Sequence, residues 1–306
     1  MLANPNATHM TTLAELEAVL TVARLRSFRA AAGALGVSTS AVSHTIAGIE
    51  RRLGVRLFNR TTRSVAVTDA GAEFVAGITP ALLEIRSAME TAGSSAGTPS
   101  GSLRINTSAA AALRCMPLFI DYAARFPAVH LDIVTEGRLI DIVADGYDAG
   151  IRLAESVPQD MISVQIEPAL RYLVVGAPAL LGTIGAPRAP ADLLSKPCIR
   201  MRMPSGALFR WEFVVAGVPV DIDVCGTLTL DNPVLIREAA RAGLGLAYLA
   251  EWHVAEDLGN GRLLQVLADA ALTVEGLCLY YPGRRHVPPS LRALVEMARE
   301  RFRGRP

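Results

Sequence analysis

The sequence predicts an α/β protein overall, an all-α N-terminal unit followed by a C-terminal unit in which strands and helices alternate. Three observations predict it. Apolar residues before position 93 recur at the threes and fours of amphipathic helices. Beyond position 101, short runs such as LRINT, LDIVT and AGIRL alternate with helical patterns, which argues for parallel sheets flanked by helices. Between the two regions lies GSSAGTPSG, 93–101, a Gly/Ser/Pro stretch that reads as a hinge. A chain of 306 residues suits two domains, and 51% hydrophobic with 19% charged residues excludes a disordered chain.

The first helix opens at Thr12, with Glu15 three residues on as a capping box, and Leu13, Leu16, Leu20 and Ala23 form its expected core stripe. Ser27 caps a second, alanine-rich helix from Phe28 to Leu35, whose small side chains allow a neighbour close. Gly36 ends it in the left-handed conformation glycine adopts most cheaply. Ser38 caps a third helix, so 27–53 reads as helix, short turn, helix. At roughly 100° per residue, Ile46, Ile49 and Leu53 fall within about 40° of Val42 and form a buried stripe. Ser40, Ser43, His44, Ala47 and Arg51 fall on the opposite face. That face is short and polar with one methyl at its centre, suited to the base edges of a major groove. After Gly54, VRLFNRTTRSVAVT reads as two short strands joined by an arginine-bearing tip, a wing able to set Arg60 and Arg63 against phosphates or in a minor groove.

Charge agrees with a polyanion partner for this region. The chain carries a net +1, but positions 24–63 hold eight arginines against the single acid Glu50, a local +7 that leaves −6 for the rest.

The run SFRAAAGALGVSTSAVSHTIAGIERRLGVRLFNRTTRSVAVTDAG, 27–71, resembles the winged helix-turn-helix of the LysR-type transcriptional regulators. Ser27 with the alanines, Ser38, Ala41-Val42-Ser43, Ile49-Glu50, Leu53-Gly54, Leu57-Phe58, Arg60 and Thr68-x-x-Gly71 carry the likeness. Thr39 departs from the family's commonest residue, and His44 stands where glutamine is more usual, which bears on base preference. The resemblance implies double-stranded DNA with an interrupted palindrome as partner, and Ser27, Arg29, Ser38, Thr39, Ser40, Ser43, His44, Arg51, Arg60 and Arg63 as its contacts. It divides the chain into a DNA-binding domain at 1–67, a linker and dimerisation helix at 68–92, the hinge, and an effector domain at 102–306.

The linker reads as one helix from a Thr68 cap to about Ala92, with Phe74, Ile78, Ala81, Leu82, Ile85 and Met89 as a seam for a partner helix. Pro80 in its middle is expected to kink it or shift its start. Beyond the hinge come the LRINT strand, a helix from about Ala109 to Ala124, LDIVT, a helix around Ile140, and AGIRL. GSLRINT, RFPAVHLDIV, DGYDAGIRL, ARAGLGLAYLAEWHVAEDLGNGRL and YYPGRRHVP extend the resemblance over most of 101–290. They imply a two-lobed α/β effector domain like type 2 periplasmic binding proteins, with lobe 1 at 102–160 and 274–306 and lobe 2 at 161–273.

Ligands of open α/β sheets lie at the carboxyl ends of strands, near helix N-termini that favour anions. Thr107 and Ser108 end the first strand and begin the first helix, Arg200 and Ser205 follow the CIRM strand, and Asn232 precedes a helix. The expectation is a small anionic, carboxylate-bearing effector bound by these five residues between the lobes.

An enzyme is the main rival reading, with an architectural DNA binder carrying an inert C-terminal half as a second. Gly243-x-Gly245 has no third glycine and no dinucleotide-binding unit after it, no Walker loop appears, and the five histidines lack metal-ligand spacing. No cofactor and no metal are expected. Cys115, Cys198, Cys225 and Cys278 are too scattered for a disulfide framework and read as buried small apolar side chains in a reducing, cytoplasmic setting. MLANPNATHM has no apolar core, so neither a leader nor a membrane anchor is expected there, and Met10 is an alternative start. A homodimer or homotetramer, with RNA polymerase as a further partner, completes the expectation.

Overall fold

The computed structural model describes residues 11–60, 65–93, 98–283 and 287–303, so the chain start, Arg63 at the wing tip and hinge positions 94–97 lie outside the described residues. The chain divides into two compact units, residues 1–103 with 140–148 and 284–291, and residues 104–139 with 149–283 and 292–306.

The first unit begins with three helices, α1 (Leu13–Leu25), α2 (Phe28–Leu35) and α3 (Thr39–Leu53), then an antiparallel hairpin of β1 (Phe58–Arg60) and β2 (Val65–Val67), and α4 (Asp69–Gly93). The caps form as expected. Thr12 and Glu15 make a reciprocal capping box, Ser27 accepts from the Ala30 N–H, Ser38 accepts from the Ala41 N–H, and Gly36 and Gly54 end their helices in the left-handed region. The core joins Val19, Val22, Ala31, Ala32, Val42, Ile46, Ile49, Leu57 and Phe58.

Three expectations for this unit change. On α1 the buried face is Ala18, Val19, Thr21 and Val22, whereas Leu13 is exposed and Leu16, Leu20 and Ala23 are half-buried. The smaller face lets α2 and α3 approach closely and leaves the leucines at its flanks. On α3, Leu53 is exposed at 44%, because the helix ends there and Gly54 turns the chain away. On α4, Phe74 and Ile78 pack back on the winged-helix core and Leu82 is buried, so of the seam Ala81, Ile85 and Met89 are exposed. The span of α4 includes Pro80.

A close approach locks the wing to α4. The Thr68 hydroxyl donates to the Arg56 carbonyl at 2.6 Å and accepts from the Gly71 N–H at 3.0 Å, while the Thr68 N–H reaches the Leu57 carbonyl at 3.0 Å. A Cβ on Gly71 would stand 2.1 Å from that Leu57 oxygen, so only glycine fits.

The second unit is two-lobed. Lobe 1 is a five-stranded sheet built from β3 (Gly101–Thr107), β4 (Val129–Thr135), β5 (Ala149–Leu153), β6 (Met161–Gln165) and β15 (Leu277–Pro282), in the order β4-β3-β5-β15-β6. It carries α5 (Ala109–Arg125) and α9 (Pro289–Arg303). Lobe 2 contains β7 (Leu170–Gly176), α6 (Pro178–Ile184), β8 (Ile199–Met201), the hairpin β9 (Trp211–Val215) and β10 (Val218–Ile222), β11 (Leu228–Leu230), α7 (Pro233–Arg241), β12 (Ala247–Ala250), α8 (Glu251–Gly259), β13 (Leu264–Val266) and β14 (Thr273–Val274). Its core stacks Trp211, Phe213 and Tyr172 around Tyr248.

The sheets are mixed rather than parallel. β3 pairs with β5 and β8 with β11 in parallel, but β15 runs antiparallel to β5 and β6, and β12, β13 and β14 run antiparallel to β7. Two crossings between the lobes return strands in the opposite sense. Because β6 joins the lobe 1 sheet, the first crossover follows residue 165 instead of residue 160. Gly276 of the returning crossover lies against it, where a Cβ would stand 2.0 Å from the Pro168 carbonyl oxygen.

The helix expected around Ile140 is absent. The Asp141 carboxylate accepts from the Val143 and Ala144 N–H groups, and Gly146 at φ 72° ends the segment after one turn. Cys115, Cys198 and Cys278 are buried and Cys225 is exposed, so the expectation fails for Cys225. Burial pushes the Cys198 thiol up to about 12. Among the described residues no helix is long and apolar enough to cross a membrane.

Two predictions follow from this packing. Gly71→Ala should lower stability by about 1 to 3 kcal/mol, since backbone must move to admit the methyl, and a thermal melt measures the loss. His253 on α8, edge-on to Trp252 and near Arg237, is held down to about 4, chiefly by burial and then by Arg237. The folded state therefore resists a proton that the unfolded chain accepts below pH about 6.5. Its contribution is complete above that pH and is lost as pH falls from about 6.5 toward 4. The loss should be on the order of 2 to 3 kcal/mol, and stability curves of His253→Gln should be flatter through that window.

Candidate functional site

The N-terminal site is a matter of which face α3 leaves out. Val42, Ile46 and Ile49 are 1%, 0% and 1% exposed, which fixes the rotation of the helix about its axis. Ser40, His44 and Arg51 are then exposed, and Ser43 and Ala47 half-buried, on the far side. Thr39 and Arg29 are exposed as well. Ser27 and Ser38 are occupied as caps, and the Ser38 and Ser40 hydroxyls lie 2.9 Å apart. Arg60 on the wing stacks its guanidinium 3.9 Å from the Phe28 ring centroid, which orients a long flexible cation without neutralising it.

Glu50, the only acid within the basic block, takes a structural part the sequence reading missed. Its carboxylate accepts from the Leu57 N–H at 2.8 Å and the Phe58 N–H at 3.2 Å, tying the wing to the end of α3. Arg52 turns away from the polar face to Glu15 at 2.8 Å, and the Thr12 backbone N–H, followed by Arg52, holds that carboxyl below the usual range.

In the second unit, Ser108 caps α5 by accepting from the Ala111 N–H, and it is half-buried. Thr107 beside it is enclosed at 0% exposure, and its hydroxyl donates to the Ile151 carbonyl at 3.3 Å. That donor is therefore already used. Arg200 pairs with Asp223 at 3.0 Å, the exposed Ser205 accepts weakly from the Ala207 N–H at 3.4 Å, and Asn232 caps α7 by accepting from the Val234 N–H. Each of the five has a local partner.

The lobes meet at another place. A Cβ on Gly137, in the loop after β4, would lie 2.7 Å from the Pro204 ring in the loop after β8. Beneath that loop lies Arg152, 6% exposed, donating to the Asn106 side chain and to the carbonyls of Glu136 and Arg138. Behind the cleft, Arg114 of α5 forks onto the buried Glu167 of the first crossover at 3.0 and 2.8 Å. Among the described residues no group of three His, Cys, Asp or Glu side chains is placed to hold a metal ion.

A winged helix-turn-helix and a two-lobed α/β sensor in one chain define a ligand-responsive DNA-binding transcription regulator. Comparison with known proteins places it more narrowly. Residues 13–72 match the bacterial regulatory helix-turn-helix of the lysR family and residues 96–303 match the LysR substrate binding domain, so the chain belongs to the LysR-type transcriptional regulators. It is 40% identical over 276 residues to the HTH-type transcriptional regulator YcaN of Escherichia coli K12, covering 90% of each chain. It is 34% identical to the regulator PgrR of the same organism, covering 95% of this chain and 98% of that one. The full-length structure of AphB from Vibrio cholerae has the same fold, with a TM-score of 0.65 at 21% identity, covering 95% of this chain and 99% of that one. The protein is thus a transcriptional regulator and not an enzyme, of a family that binds DNA and small-molecule effectors and works as oligomers.

Proposed function

We propose that α3 enters the major groove of an interrupted palindrome, with Ser40, Ser43, His44 and Arg51 toward the base edges. Ser27, Arg29, Ser38, Thr39, Arg60 and Arg63 hold the adjoining backbone. Residues 1–67 act as the DNA-binding domain, 68–92 as the linker and 93–101 as the hinge. The effector domain, 102–306, senses a small carboxylate-bearing molecule between its lobes. The observation that carries this reading is the division of α3 into a closed apolar face and an open polar one.

Pairing of subunits is expected through the free end of the α4 seam, where Ile85 and Met89 are 41% and 66% exposed. A second expected surface is on α5, where Leu113, Met116 and Ile120 form an exposed apolar stripe. A dimer or tetramer then sets half-site spacing, and closure of the lobes changes operator geometry. The setting is cytoplasmic, and RNA polymerase is the expected recipient of the change.

Ser43→Ala and His44→Ala should each cost about 1 to 3 kcal/mol at the preferred operator and little on random DNA, with folding nearly unchanged. Binding titrations of the full-length protein on both DNAs, at several salt concentrations, check this. Equal losses on the two DNAs would place these side chains on the backbone instead.

A further inference from the structure

Two neighbouring strand ends in lobe 1 carry a polar pair that the preceding reading does not use. β3 and β5 run in parallel, with Asn106 opposite Gly150 and Thr107 opposite Ile151. Alternation therefore puts Asn106, Gly150 and Arg152 on one face of the sheet. Gly150 is required there, because a Cβ would stand 2.4 Å from the ring of Tyr280 on β15. Asn106 is 0% exposed and Arg152 6%.

The hydrogen-bond acceptors of Arg152 among the described residues are uncharged. Its Nη1 donates to the Ile151 carbonyl at 2.9 Å, and its Nη2 to Asn106 Oδ1 at 2.6 Å, the Glu136 carbonyl at 2.8 Å and the Arg138 carbonyl at 3.2 Å. Glu136 turns its carboxylate to Arg138 at 3.1 Å and acts on Arg152 through space, without a hydrogen bond to it. A guanidinium taken out of water with no carboxylate bonded to it is costly, and a negative charge at hydrogen-bond distance offsets that cost.

Two buried donors are also unmet. Arg152 Nε and Asn106 Nδ2 have no hydrogen-bond partner. The amide orientation is fixed, since Oδ1 must face the cation, so Nδ2 is the end left over. Unmet N–H groups beside a cation whose hydrogen-bond acceptors are all neutral call for a ligand that accepts at two points and brings negative charge. Water meets the first requirement but not the second.

We propose that Asn106 and Arg152 form a buried oxyanion-binding position at the carboxyl ends of β3 and β5, and that it takes the carboxylate of the effector. This rests on the anionic-effector reading above and moves its anchor from Thr107 to the neighbouring residue. Two free donors suit a monoanionic carboxylate, whereas a phosphate dianion needs more. The same guanidinium holds the Glu136–Arg138 loop from below, and Gly137 of that loop lies against Pro204 of lobe 2. An anion drawing on Arg152 thus acts directly on the contact between the lobes.

The test is thermal melting of the full-length protein titrated with potassium acetate, against potassium chloride of equal ionic strength, with inorganic phosphate as a second arm. Acetate should raise the parent's melting temperature saturably, at lower concentration than phosphate. Asn106→Asp supplies a hydrogen-bonded charge from within. It should melt higher than the parent without acetate and need about tenfold more acetate or more for any response. Arg152→Met should lose the response. Should that variant not fold, Asn106→Asp still decides. Equal acetate responses in parent and variants would overturn this site while leaving the anionic-effector reading standing. A parent unmoved by either anion would overturn both, phosphate acting at lower concentration than acetate would contradict the carboxylate assignment, and Asn106→Asp melting below the parent would refute the charge deficit.

Discussion

A recognition helix has to bury one face firmly without giving up the other, and here that constraint falls on Val42, Ile46 and Ile49. Their enclosure by α1 and α2 allows α3 a single rotation about its axis, and every polar side chain beyond them inherits its direction from it. The wing depends on the same helix, since Glu50 one position past Ile49 takes the two amides that begin β1. Thr68 and Gly71 then carry the geometry into α4 through Leu57 and Arg56. Core, wing and linker form one connected arrangement, so a change in the linker has a physical route to the face proposed to read DNA.

The sensing unit follows the logic of open α/β sheets. Strand ends converge on one side, and the chain passes twice between lobes along crossovers held backbone to backbone at Gly276. The ion pair of Arg114 with Glu167 braces that passage from lobe 1. A polar system beside the cleft, with Arg152 at its centre, is positioned to convert a change of charge into a change of loop position.

Much of this was legible in the sequence where the signal is local. Thr12, Ser27, Ser38 and Ser108 announce their helices because a cap is a contact across three residues, and Gly36 and Gly54 end theirs for reasons held in their own backbone. The polar face of α3 was legible because its buried stripe has strict helical spacing. Rotation of α1 was not, since periodicity offered a leucine stripe while close packing chose Ala18 and Val19. The turn at Asp141 mimicked a helix in composition and was stopped by Gly146. Glu50 reads as a stray acid until the wing folds onto it, seven residues on. Asn106 and Arg152 are 46 residues apart and meet only through parallel pairing, which no local pattern reveals. Thr107, one position on, is turned by alternation to the other face, where its hydroxyl meets the Ile151 carbonyl.

The account's central claim, that the face of α3 opposite Val42 reads base edges in a major groove, is tested most directly by methylation interference. The DNA would be a fragment that the full-length protein selects from sheared genomic DNA. The account predicts that methylating guanine N7 in the major groove blocks binding in two half-sites related by two-fold symmetry, with their centres a whole number of helical turns apart. Binding indifferent to major-groove methylation, or blocked only by modified phosphates, would contradict it.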